Sequence, residues 1–446
     1  MAVLLLILFV LSEVAFLIFN RSSDKKTWTV KRLIVNAAQI LIFVIMLIFP
    51  GIDTGMRFKG LIVMLVIRLV FALIFALLYR KNIKAKKTGA KVMSMILSSI
   101  LLASSMATAF IFTDYEGRPV TGPHKIKMCS AILVDNNRIE EFETDGSDRE
   151  VPVYFFYPED VSEKVPLAIF SHGAFGYYQS NTSTYMELAS NGYVVISLDH
   201  PYHSFFTKDT DGKTITVDPG FISSVMGANG ENSSEEEVFE NSRDWMKLRV
   251  DDVNFVLDTI EAGASGDTSA FWFSDDSQKS DTINALSLID TDKIGLMGHS
   301  LGGATAVEVG RERDDIDAVV DIDGTMLGHI KGVKDHKYII DEEPYEVPLL
   351  VFDNEESIKE LNALTDYPYP NTTIKETATT YYATYIKGTL HMDYTDLPLF
   401  SPMLAKMLGS GDIDNAKAID QVNSLVLAFF DCYLKGEGDF SVNESY

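Results

Sequence analysis

The chain has 446 residues, 38 Lys and Arg against 63 Asp and Glu, a formal net charge of −25 and only 2 cysteines. The charge is unevenly spread: residues 1–112 carry 14 basic and 3 acidic side chains, net +11, and the remainder carries 24 and 60, net −36. Four long apolar stretches at the start exclude a soluble single-domain protein, so acidic a second part argues against nucleic acid as a partner, and two cysteines make neither a disulfide framework nor a four-ligand zinc site.

In chain order, the apolar stretches are Val3–Phe19, Leu33–Pro50, Leu61–Tyr79 and Val92–Phe112. Each is close to the roughly 20 residues a helix needs to cross about 30 Å of hydrocarbon, so four transmembrane helices are expected. The first is expected to stay in place, because MAVLLL has no basic n-region and no small-residue cleavage site follows it. The first loop holds Arg21, Lys25, Lys26, Lys31 and Arg32 against Asp24, and the third holds Arg80, Lys81, Lys84, Lys86, Lys87 and Lys91 with no acid. Basic loops stay cytoplasmic. The middle connection, with Asp53, Arg57 and Lys59, then lies outside, as do the N-terminus and everything after Phe112. Glu13 and Arg68 interrupt the first and third spans near mid-depth and are expected to pair with each other. The division is thus a four-helix membrane anchor over residues 1–112 and a catalytic domain over 113–446.

From Asp114 onward short β-rich runs alternate with helical patterns. Candidate strands are Lys127–Leu133, Val151–Tyr157, Leu167–Phe170, Tyr193–Leu198, Lys293–Met297, Ala318–Ile322, Leu349–Phe352 and Tyr381–Ile386. Helical patterns cover Ser183–Ser190, Val238–Ile260, Ala304–Arg311 and Ile419–Phe430. Continuous apolar strands between helices predict an α/β fold with a mostly parallel sheet covered on both faces. Lys208–Glu237, with its acidic run Glu231, Glu235, Glu236 and Glu237, and Ala262–Ser287 fit no regular element and read as solvated loops. Around Asp209 and Asp211 the glycine comes too early for a calcium loop.

Chemistry concentrates at KIGLMGHSLGGATAV, Lys293–Val307, where Gly298-His299-Ser300-Leu301-Gly302 lies between an apolar strand and a helix. A serine on such a sharp turn needs small residues two positions either side, and the turn lifts its hydroxyl beyond the sheet at a helix N-terminus. Ser300 is therefore the candidate nucleophile. In this architecture one oxyanion donor is the N–H after the nucleophile, here Leu301, and the other comes from the loop after an earlier strand. Leu167–Phe170 runs into Ser171-His172-Gly173-Ala174-Phe175-Gly176, which makes Ala174 that donor. With the chain order Ser, acid, His, only His329, His336 and His391 come late enough among the 8 histidines. His391, after the turn Lys387-Gly388-Thr389-Leu390, is the best placed base, whereas His329 and His336 read as surface residues. His200 and His203 lack a third metal ligand at useful spacing and read as lining a pocket mouth, and His299 reads as packing locally. For the acid, Asp323 and Asp353 both end strands between Ser300 and His391, and spacing leaves the two open; Asp321 lies deeper in its strand.

These residues resemble the platelet-activating-factor acetylhydrolases of the plasma and type II intracellular kind and related bacterial hydrolases, over roughly residues 120 to 435. The resemblance is carried by Gly122-Pro123, by FSHGAFG at Phe170–Gly176, by RVDDVNFVL at Arg249–Leu257, by GHSLGGAT at Gly298–Thr305 and by Lys387–His391. It implies an α/β-hydrolase and a calcium-independent serine esterase, without cofactor or metal, that removes short or oxidised acyl groups from phospholipids. It further implies Asp323 as the acid, with Leu301 and Ala174 as oxyanion donors. The four-helix part is foreign to that family, and Ala262–Ser287 is expanded. The alternatives are a broad carboxylesterase or polyester hydrolase, a membrane-bound acyltransferase using the same serine, and a catalytically silent sensor or scaffold.

Overall fold

The computed structural model describes residues 1–49, 55–81, 83–230, 233–363 and 369–446. Pro50, Asp53 and Glu231 fall outside them. Internal contacts divide the chain into two units, Met1–Tyr115 with Phe400–Leu404, and Glu116–Leu399 with Ala405–Tyr446.

The first unit consists of α1 (Ala2–Asn20), α2 (Lys25–Ile48), α3 (Met56–Leu78), α4 (Thr88–Ser105) and the short α5 (Ala107–Ile111). The first four are long and apolar enough to cross a membrane. α2 begins eight residues before its apolar stretch because Asp24 caps it, its carboxylate accepting the Thr27 N–H at 2.8 Å. The fourth stretch is not one helix, since it breaks at Met106 before α5. A thin apolar seam packs inside, including Leu5, Phe9, Phe43, Phe58, Leu61 and Leu102, while Leu4, Leu11, Ile34, Leu41, Val63 and Leu97 stay exposed. Such an outer face suits hydrocarbon rather than water. Glu13 is buried and bonds Arg68 at 2.5 Å, the expected pair, but Arg32 reaches its other oxygen at 2.5 Å as well. Lys91 points its ammonium at the carbonyls of Asn20, Arg21 and Ser23, at 3.1, 2.7 and 2.8 Å, where the C-terminal end of α1 favours a cation.

The second unit is built on strands β1 (Ile126–Ile139), β2 (Asp148–Pro158), β3 (Val165–Ser171), β4 (Val194–Leu198), β5 (Phe206–Lys208), β6 (Thr214–Thr216), β7 (Phe271–Trp272), β8 (Ile289–His299), β9 (Ala318–Ile322), β10 (Ile330–Lys334), β11 (Lys337–Ile340), β12 (Leu349–Phe352) and β13 (Tyr381–Thr384). Nine of them form one sheet in the order β13-β12-β9-β8-β3-β4-β2-β1-β7. From β13 to β4 all neighbours are parallel, and β2, β1 and β7 add antiparallel strands at one edge. Two hydrophobic cores, one on each face, bury the sheet, as the continuous apolar strands require. The helices that matter for the site are α6 (Thr182–Ser190), α7 (Pro219–Ala228), α8 (Glu235–Ala264), α9 (Asp276–Leu288) and α10 (Leu301–Glu312).

Both stretches read as loops contain regular structure. Lys208–Glu237 holds one strand of the β5–β6 hairpin, then α7 and the first turn of α8. Asp218 caps α7, accepting from Phe221 N–H, and Pro219 opens it. The acidic run is the start of α8, where Ser234 caps and Glu235, Glu236 and Glu237 face the positive end of the helix dipole. In Ala262–Ser287, β7 pairs with β1 and α9 starts at the Asp275 cap. Polar composition there marks helix starts as well as solvent.

Candidate active site

The parallel strands β3, β8, β9, β12 and β13 lead from their C-terminal ends toward Ala174, Ser300, Asp323, Asp353 and His391. β8 ends at His299, and Ser300 follows with φ 57° and ψ −125°, a conformation strained for any residue other than glycine. Its N–H is tied to the Ile322 carbonyl of β9 at 2.8 Å. The flanking glycines are required sterically. A Cβ at Gly298 would stand 2.2 Å from the Gly302 carbonyl group, and one at Gly302 would stand 2.0 Å from the Ser171 oxygen. The start of α10 thus rests on the end of β3, which brings SHGAFG beside the serine, and a Cβ at Gly173 would lie 3.1 Å from Ser300 Cβ. The N–H groups of Ala174 and Leu301 make no hydrogen bond among the described residues, so both are free to receive an oxyanion.

His391 donates from Nδ1 to Asp323 Oδ2 at 2.6 Å. Its side chain is 43% exposed, whereas that of Asp323 is 3% exposed, so the imidazole has an open side and a buried support. Asp323 also has positive φ, 57°, and its N–H is held by the Phe352 carbonyl at 2.6 Å. Its carboxylate receives the Asn354 N–H at 2.7 Å and the Asn354 side-chain amide at 3.0 and 2.9 Å. Burial alone would raise the Asp323 pKa, but the bonds from His391 and Asn354 outweigh it and hold the carboxyl below its ordinary range. Among the described residues the Ser300 hydroxyl makes no hydrogen bond.

The competing acids differ. Asp353 makes no bond to His391 and is pushed up to about 7 by burial and by the charge on Asp323. Asp321 is fully buried under the elbow with neither side-chain oxygen hydrogen-bonded. Burial, then repulsion from Asp353 and Asp323, raises it well above the carboxylate range. His299 donates from Nε2 to the His391 carbonyl at 3.1 Å, and burial followed by the nearby His391 pulls it down to about 3.

Other histidines lie elsewhere than their sequence position implied. His329 is buried beside Arg311 and Tyr345, not on the surface, while His336 is exposed. His200 is buried beneath the SHGAFG loop rather than at a pocket mouth, whereas His203, also buried, lines a cavity of about 810 Å³ together with Arg138, Glu140, Phe142 and Trp245. His200 joins Ser171 Oγ and Asp252 Oδ2, each at 2.9 Å. This repeats the connectivity of a catalytic triad, but all three residues are at most 2% exposed, which leaves no path for a substrate. Asp252 takes a two-bond clamp from Arg149, at 3.1 and 2.7 Å. Sequence reasoning gave no role to Asn354, His172 or Arg249. Arg249 lies in RVDDVNFVL, and its buried partners His172, Gly173 and His203 are far away in the chain. Cys129 and Cys432 are both free thiols, and burial raises the Cys129 thiol to about 12.

The family model described as "Platelet-activating factor acetylhydrolase, isoform II" matches residues 139–445, a range that leaves out Gly122-Pro123. Gly122 has its own steric reason, since a Cβ there would stand 2.0 Å from the Ser190 carbonyl oxygen. Curated relatives include platelet-activating factor acetylhydrolases from Canis lupus familiaris, 25% identical over 304 residues and 65% of this chain, and from Gallus gallus, 27% identical over 295 residues and 62% of it. The chain spans 62% and 64% of those relatives' own lengths. A solved ferulic acid esterase from Streptomyces cinnamoneus aligns with TM-score 0.51 and 20% identity, covering 72% of this chain and 93% of that one. At that identity it shows the α/β-hydrolase fold alone.

Proposed function

The chain belongs to the platelet-activating factor acetylhydrolase, isoform II, family, and from that premise we propose that it is a membrane-anchored serine ester hydrolase acting through Ser300, His391 and Asp323. The observation that carries this reading is the strained elbow of Ser300 beside a half-exposed imidazole whose Nδ1 is fixed by a buried carboxylate at 2.6 Å. His391 Nε2 takes the Ser300 proton as Oγ attacks the ester carbonyl. The Leu301 and Ala174 N–H groups receive the oxyanion, and Asp323 supports the imidazolium. The alcohol leaves with the proton held by His391, and water, deprotonated by the same imidazole, releases the acid and restores the serine.

The substrate class is short or oxidised acyl esters of phospholipids or similar amphiphiles. Residues 1–112 serve as the anchor and residues 113–446 as the catalytic domain, held outside the cytoplasmic membrane. The basic first and third loops support that sidedness. Labelling of intact cells with an impermeant fluorophosphonate tests site and side together: Ser300 is labelled, and Ser300→Ala abolishes both label and ester hydrolysis. Labelling only after lysis would reverse the topology, and absence of Ser300-dependent hydrolysis in either state would favour a silent scaffold. A panel of esters of increasing acyl length separates the short-acyl reading from a broad carboxylesterase, and added acceptor alcohol would reveal an acyltransferase as transfer product.

A further inference from the structure

An oxyanion donor works only if its peptide plane is already turned, and a loop peptide has no helix or sheet to turn it. The Gly173–Ala174 peptide instead has three donors converging on its carbonyl oxygen. They are His172 Nδ1 at 2.7 Å, Gly176 N–H at 3.0 Å and Arg249 Nη2 at 3.3 Å. In a planar trans peptide the C=O and N–H point in opposite directions. Fixing the oxygen toward Arg249 therefore fixes the Ala174 N–H away from it. That N–H has no partner among the described residues, and its neighbour Gly173 lies against Ser300. Donors on a carbonyl also polarise the peptide and strengthen its N–H as a donor.

The surroundings hold this grip in one state. Arg249 is 0% exposed. It donates to the His172 carbonyl with Nη1 and to His203 Nδ1 with Nε at 3.4 Å, and the His203 ring is stacked on Phe221 at 3.6 Å. Asp252, one turn further along α8, attracts its charge and is itself clamped by Arg149 and His200. The His172 tautomer is set by the same carbonyl. Nδ1 faces a carbonyl, which can only accept, so the proton of the neutral ring sits on Nδ1, and Nε2 lies 2.8 Å from Ser204 Oγ and 3.4 Å from the His200 N–H. A buried ion of this kind is weak grounds for stability, since well-packed apolar residues often do as well.

We propose that Arg249 and His172 are positioning residues of the oxyanion hole, acting through the Gly173–Ala174 peptide to aim and polarise the Ala174 N–H. The proposal rests on the serine-esterase reading. The test uses the full-length protein in detergent with an aryl acetate as substrate. Fluorophosphonate end-point labelling counts folded sites, and an aryl trifluoromethyl ketone reports affinity for the tetrahedral adduct. Losing one oxyanion donor costs about 10²–10³ in kcat, so Arg249→Lys, a point charge that cannot bridge both carbonyls, should lose about 10² in kcat per labelled site. KM should stay within about threefold, and ketone affinity should fall in parallel with kcat/KM. His172→Phe should lose about tenfold or more, and His172→Asn, whose amide N–H stands where Nδ1 was, should recover most of that loss.

If Arg249→Lys gives too few labelled sites to assay, the His172 pair decides. Unchanged kcat per labelled site and unchanged ketone affinity in Arg249→Lys and His172→Phe would overturn the proposal and make the cluster a brace for the fold. Failure of wild-type Ser300 to label is a different result, which would overturn the esterase reading and this proposal with it.

Discussion

Asp323 and Asp353 sit just past neighbouring parallel strands, and the same isosteric change at the two should have opposite consequences. Asp323 accepts the His391 Nδ1 proton at 2.6 Å. Asp323→Asn removes the acceptor that fixes the tautomer, so kcat should fall by about 10⁴, the size of that loss in a protease triad. Asp353 is buried beside Asp323 without touching the imidazole, and its pKa is raised from 3.8 to about 7, first by burial and then by the Asp323 charge. Asp353→Asn should keep kcat within about fivefold, because it replaces a group that is already neutral below pH 7.

The effect of Asp353→Asn should show in stability. A carboxyl whose folded pKa lies above its unfolded value contributes stability that is fully present below the unfolded pKa and is lost as pH rises through the folded one. For Asp353 that window runs from 3.8 to about 7. At 1.36 kcal/mol per unit the whole loss is about 4 kcal/mol, of which at most about 3 kcal/mol falls between pH 5 and pH 8. The variant has no such loss, so its advantage over wild type should grow by up to that amount between those pH values in denaturant melts. Activity per fluorophosphonate-labelled site and stability at pH 5 and pH 8 are the measurements. A dead Asp353→Asn with an active Asp323→Asn would move the acid to the following strand, and a stability difference independent of pH would refute the raised pKa.

Three other substitutions probe the elbow and the helical bundle. Asp321→Asn should leave kcat within about threefold and stability within about 1 kcal/mol, because neither oxygen of the buried carboxyl has a hydrogen-bond partner and burial disfavours its charged form; loss of the fold on this change would show a bonded or ionised Asp321. Gly302→Ala sets a Cβ 2.0 Å from a backbone oxygen of β3, and since backbone cannot step aside cheaply it should cost more than about 2 kcal/mol and most of the Ser300 labelling, with wild-type melting and labelling as the contrary result. Glu13→Gln leaves Arg32 and Arg68 facing a neutral amide; breaking a buried pair costs about 3–5 kcal/mol, so the helical bundle should melt earlier in detergent, and unchanged melting would show that the two guanidinium groups are hydrated.

How far the site could be read from the chain depended on whether its parts were local. The elbow is a local object: Gly298, Ser300, Gly302 and the strand and helix around them lie within a few residues, and their steric logic is complete in the sequence. The strands around it were legible in the same sense, since apolar runs such as Ala318–Ile322 and Leu349–Phe352 carry their burial in their composition. The choice between Asp323 and Asp353 was not, because it turns on which strand end faces His391, 68 residues from Asp323. The buried histidines were least legible of all. A histidine in a polar stretch reads as exposed unless its partners are known, and the partners of His172, His200 and His203 are Ser204, Asp252 and Arg249, brought together by the sheet and α8. The acidic run before α8 misled for the converse reason, because a solvated loop and a helix N-terminus ask for the same side chains. The candidate serine and its candidate base are therefore marked by short patterns, whereas groups that hold a peptide carbonyl or bond a carboxylate become visible only when distant segments share one layer.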